Sequence, residues 1–79
     1  MDGYIGEIRL FGGKFAPVGW AACDGKIMTV RDHAALFSII ANNYGGDGMN
    51  TFNLPKIDPL HQSGPNYIIC VDGIYPDRD

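Results

Sequence analysis

Between Tyr4 and Phe11 the side chains alternate, with Tyr4, Gly6, Ile8 and Leu10 on one side and Ile5, Glu7, Arg9 and Phe11 on the other. A period of two predicts a strand, and the charges of Glu7 and Arg9 mark a partly solvated face of an antiparallel sheet. Gly12-Gly13 and Pro17-Val18-Gly19 interrupt the pattern. Trp20 to Cys23 is a short apolar run closed by Asp24-Gly25, a strong turn dipeptide. Lys26 to Val30 reads as a second short strand, predicted to pair across that turn as a hairpin.

The period then lengthens. His33, Leu36, Phe37 and Ile40, flanked by Ile39, form one apolar stripe at helical spacing, with Arg31, Ala35, Ser38 and Asn42 opposite. Thr29 stands three residues before Asp32, the spacing of a helix cap. Asn42-Asn43 and Gly45-Gly46 are the expected stop, because Asn and Gly tolerate a left-handed backbone. Gly45 or Gly46 is therefore expected at positive φ, with Tyr44 folding back toward Phe37 or Ile40. Thr51 to Leu54 is a short extended piece stopped by Pro55, and Lys56 to Pro65 reads as loop. Tyr67 to Val71 is apolar on both faces, the pattern of a buried central strand or an interface strand. After the Asp72-Gly73 turn, Ile74 and Tyr75 add a last short pairing before Pro76 and the charged tail Asp77-Arg78-Asp79. These elements predict an α+β fold: a small, mainly antiparallel sheet with one helix.

Length limits what such a fold can bury. A chain of 79 residues is one domain and covers about 60% of the surface its unfolded form exposes. Its core is marginal without a disulfide, a metal or partner chains. Hydrophobic residues are 46% and charged residues 19%, which argues against disorder, and eleven glycines with five prolines imply tight turns and short elements. The net charge is -3 with basic residues scattered, so no stripe suits nucleic acid or an anionic membrane surface. No apolar run approaches the roughly 20 residues that span a bilayer. Met1-Asp2-Gly3-Tyr4 carries no basic and apolar leader, so no signal peptide is expected, and synthesis is expected in the cytoplasm.

Candidate chemistry is sparse. Cys23 and Cys70 allow one disulfide by count, but without a signal peptide two buried free thiols are the favoured reading. Cys23, His33, His61 and Cys70 lie too far apart for finger-type zinc ligation, which brings ligands in close pairs. Gly45-Gly46-Asp47-Gly48 follows the helix instead of opening it, and lacks the Lys-Ser/Thr of a phosphate loop and the spaced carboxylates of a calcium loop. No signature surrounds Ser38, Ser63, Cys23 or Cys70 as nucleophiles, and nothing selects Glu7, Asp24, Asp47 or Asp58 as a catalytic carboxylate. No enzyme activity, metal or cofactor is expected. The aromatics carry more information. Trp20, Tyr44, Phe52, Tyr67 and Tyr75 border glycine or proline segments, and so small a core cannot enclose every ring. With Ile68 they are the interface or ligand candidates, suited to a protein contact or to sugar stacking.

Several segments together resemble a known family. Gly6-Glu7-Ile8-Arg9-Leu10-Phe11-Gly12-Gly13 with Phe15-Ala16-Pro17, then Gly19-Trp20 and Cys23-Asp24-Gly25, are similar to the opening of the phage tail-collar domain. Ala35-Leu36-Phe37-Ser38, Tyr44-Gly45-Gly46-Asp47-Gly48, Thr51-Phe52 and Leu54-Pro55 continue the likeness in order and spacing. Asn66-Tyr67-Ile68-Ile69-Cys70 with Gly73-Ile74 and Pro76 resembles the end of the microcystin-dependent proteins of that group. Lys56-Ile57-Asp58 departs from the Asp-Leu-Arg-Gly-Arg usual there, and a short bridge replaces a long variable insert. The resemblance implies a collar motif over residues 3–55, a bridge over 56–65 and a closing strand with tail over 66–79. The short bridge places Tyr67 to Val71 beside Tyr4 to Leu10 in one sheet. The resemblance also implies a homo-oligomer, a trimer or filament, in a phage tail, tail-like particle or extracellular fibre. Other tail or fibre proteins and a surface glycan are further partners it suggests. On this reading Ile68 lies on an exposed face of the closing strand.

Overall fold

The computed structural model describes residues 3–59 and 64–76. His61, Ser63 and the tail Asp77-Arg78-Asp79, named above from the sequence, lie outside the described residues. The order is β1 (Ile8–Phe11), β2 (Trp20–Ala22), β3 (Ile27–Thr29), α1 (Ala34–Ile40), β4 (Thr51–Asn53) and β5 (Asn66–Cys70). The α+β architecture with short antiparallel pairings agrees with the sequence, and so does the central place of the closing strand. β5 lies between β1 and β2, antiparallel to both, with Ile8 opposite Ile69 and Trp20 opposite Cys70.

This order makes β1 and β2 parallel, so residues 12–19 must carry the chain back along the sheet. They form a strap over the face that bears Trp20, Ile68 and Cys70, and Ala16 packs down onto that cluster. The opposite face bears Ile69, which joins Ile5, Cys23, Met28, Leu36, Ile40, Phe52 and Leu54 in the main core. Helix α1 contributes Leu36 and Ile40, while β3 and β4 pair Met28 with Phe52 in a second, two-stranded sheet. The Phe37 and Phe52 rings meet at 5.3 Å, tilted by 55°.

Two expectations about the strands are corrected. The first strand begins at Ile8 rather than Tyr4, because Gly6 has φ +90° and Glu7 N–H donates to Tyr4 O at 2.9 Å, closing a turn. Tyr4 makes only an isolated bridge with Ile74. Strands β2 and β3 do not form a hairpin. Asp24 Oδ1 accepts the Lys26 N–H at 3.0 Å and Gly25 N–H donates to Pro55 O at 3.2 Å, so the Asp-Gly turn hands the chain from one sheet to the other. β2 pairs with β5 and β3 pairs with β4 instead.

The helix signals also act differently from their spacing. Thr29 Oγ1 donates to the Asp32 carboxylate at 2.8 Å, closing a turn before α1, and His33 at the N-cap makes no side-chain cap bond. The helix stops at Ala41, whose φ is 50° and whose N–H donates to Phe37 O at 2.7 Å. Gly45 and Gly46 do have positive φ, but they serve the following loop and not the cap. Tyr44 remains half exposed.

Candidate assembly surface

The residues proposed from sequence divide sharply. Trp20, Phe52 and Ile68 are 6%, 0% and 2% exposed, so these three belong to the core and offer no surface. Ile68 sits beneath the strap with Trp20 and Cys70; the expectation that it faces outward is overturned because both faces of β5 are covered. Tyr67 is partly buried against the main core. Tyr44 and Tyr75 remain about half exposed. Ser38 Oγ donates to Ala35 O, so the Tyr75 hydroxyl, 2.6 Å away, donates to Ser38 Oγ and ties the segment after β5 to α1.

Sequence reasoning missed the most exposed apolar side chains: Val18 at 99%, Phe15 at 86%, Met49 at 78% and Ile27 at 67%. The strap explains two of them. It turns Ala16 inward, while Phe15 and Val18 are left in water. A lone apolar residue between glycines and prolines carries no periodic signal, so only the crossover geometry reveals them.

On the outer strand, Arg9 binds the Glu7 carboxylate at 2.6 Å and stands 5.2 Å from the centre of the Trp20 ring. The hydrogen bond from Arg9 holds the Glu7 carboxyl below its usual range, helped by the Tyr4 N–H. Both side chains are substantially exposed, so the pair orients Arg9 more than it stabilises the fold.

Asp47 organises the glycine-rich loop. Its Oδ1 accepts backbone N–H groups of Met49 at 2.8 Å, Asn50 at 2.8 Å and Thr51 at 3.0 Å. These donors, Thr51 foremost, pull its carboxyl down to about 2. Such a group stabilises the fold above its ordinary pKa of 3.8 and ceases to do so as the pH falls through about 2. Urea midpoints are therefore expected to drop between pH 4 and pH 2 (about that window). Asp47→Asn should be less stable at neutral pH and should flatten that acid limb; an unchanged limb contradicts this role.

The thiols are unpaired and buried, Cys23 in the main core and Cys70 under the strap. Burial, with Asp24 adding to it, raises Cys23 to about 11, and burial raises Cys70 also. Both stay protonated at neutral pH, unlike reactive cysteines. Cys23, Asp24, Lys56, Asp58 and Tyr67 share the wall of an open hollow of about 200 Å³. Among the described residues no group of His, Cys, Asp and Glu could hold a metal ion, and no helix is long and apolar enough to cross a membrane.

Short strands around a small core, a crossover strap and a backbone-organised loop define a compact structural module. The Phage Tail Collar Domain family model matches residues 6–58, well over half of the chain. The chain belongs to the phage tail collar domain family, a structural family of the phage tail. No curated protein matches it. The matched span ends before β5, yet β5 is the strand that joins β1 to β2. The segment beyond the family span thus completes the sheet.

Proposed function

We propose that this chain is a non-enzymatic, self-associating subunit of a phage tail, a tail-like particle or an extracellular fibre, with residues 1–79 acting as one unit. One observation carries the reading. Among the described residues ten large hydrophobic side chains are exposed, against eleven buried hydrophobic ones in the core. Partner contact recovers roughly 25 cal/mol for each Å² of apolar surface covered, and Ile8 and Leu10, on one face of β1, offer such surface side by side. A ring or trimer satisfies such a surface by closure, and a head-to-tail contact that does not close gives a filament. The glycan alternative retains fewer residues, since Trp20 is enclosed and the Tyr75 hydroxyl is engaged by Ser38.

Negative-stain imaging of concentrated protein tests the reading. Particles of uniform size or filaments of uniform width are expected. A field containing only irregular aggregate would count against an ordered assembly.

A further inference from the structure

We propose that the outer edge of β1 is the seam between copies, pairing antiparallel with β1 of a second chain. This rests on the self-association reading and assigns it a surface. β1 is an edge strand, paired among the described residues only with β5. Cys70 N–H donates to Glu7 O at 2.9 Å, and the register sets Ile8, Arg9, Leu10 and Phe11 opposite Ile69, Ile68, Tyr67 and Asn66. Bonded and non-bonded pairs alternate along an antiparallel ladder. Glu7, Arg9 and Phe11 therefore address β5, while Ile8 and Leu10 turn their N–H and C=O groups outward.

The edge is complementary to itself. A two-fold axis through Arg9 sets each Ile8 opposite the partner's Leu10, so the outward groups of one strand meet those of the other. Two three-stranded sheets then become one of six strands; this contact closes after two copies, so a larger ring or a filament needs a second surface besides it. Ile8 and Leu10, 38% and 49% exposed on the same face, supply apolar contact along the seam.

Natural edge strands are commonly protected by a charge or a proline. Here the charged residue of β1 does not protect it. Arg9 is bound to Glu7 at 2.6 Å and drawn over Trp20, which lies on β2 beyond β5 and so away from the edge. The axis sets Arg9 opposite the partner's Arg9, a like-charge pair that costs stability; it is offset because each Arg9 is already bound to its own Glu7 and each Glu7 lies diagonal to the partner's Arg9. A seam of four residues per chain buries less than the roughly 1,200 Å² of a stable interface. The contact is accordingly micromolar or weaker between free chains and strong only where several copies are held together.

Backbone amide exchange on the unmodified protein tests this. Arg9 and Phe11 amides are expected to be protected at every concentration. Ile8 and Leu10 amides should become protected only where the protein associates. Leu10→Lys places a charge on the edge without removing any bond to β5; it should weaken association about tenfold or more while leaving the melting temperature near that of the parent. Association with Ile8 and Leu10 amides still exchanging freely, or unaltered by Leu10→Lys, overturns the seam but leaves self-association standing. A chain that stays monomeric at millimolar concentration overturns both. If Leu10→Lys does not fold, the exchange pattern of the parent decides alone.

Discussion

Gly46→Val is expected to lose about 3 kcal/mol or more of stability, from a strained backbone and a clash together. Gly46 has φ +95°, a region that branched side chains resist. A Cβ there would stand 2.5 Å from Phe52 Cα, 2.7 Å from Thr51 O and 2.9 Å from Phe52 N. These are backbone atoms of β4 and cannot swing aside. The loop is fixed to the same strand by Asn53 N–H donating to Gly45 O and Gly48 N–H donating to Thr51 O, both at 3.0 Å. A shift at Gly46 therefore displaces Phe52, one of the largest fully buried side chains. A chain of this length has roughly 4–12 kcal/mol in total, so the variant should melt far below the parent. Gly12→Ala is the matched control: an added Cβ meets nothing within 4 Å, and its effect should stay within about 0.5 kcal/mol. Equal denaturant midpoints for Gly46→Val and the parent would show that the loop does not lean on β4.

The second large effect is expected at Ile68. Because this residue is 2% exposed between Trp20, Cys70 and the strap, Ile68→Asp buries a carboxylate among apolar neighbours. Arg9, its cross-strand neighbour, is already bound to Glu7. The cost is about 4 kcal/mol or more, enough to unfold much of the population. Trp20 fluorescence should shift to the red and the cooperative melt should weaken at all concentrations. A native-like melt with selective loss of association would instead place Ile68 at an interface. On the present structure Ile68→Asp reports on folding, and Leu10→Lys is the substitution that reports on assembly.

The difference between these two positions shows how far the sequence could be read. Tyr67 to Val71 is recognisable as a central strand because it is apolar on both faces, and the short bridge before it ties it to the first strand. What covers its second face is not local. The strap over Ile68 exists because β1 and β2 run parallel on either side of β5, and that order depends on pairings made far along the chain. The same long-range pairing defeats the hairpin expected at Asp24-Gly25, whose turn chemistry is real but links two sheets. Thr29 and Asp32 similarly use the chemistry that their spacing announces, one turn earlier than the helix. The aromatics were the least legible: ring size and neighbouring glycines cannot separate Phe52, with no exposure, from Phe15, which is 86% exposed. Only the inward turn of Ala16 decides that. The collar motifs, by contrast, are carried by residue order and spacing, and they lead to the family directly.

Molecular mass measured by light scattering across a dilution series tests the central claim most directly. A self-associating collar module should show a weight-average mass that is a multiple of 8.6 kDa when concentrated and falls toward 8.6 kDa on dilution. A folded chain that holds 8.6 kDa from the lowest to the highest concentration reached would contradict it.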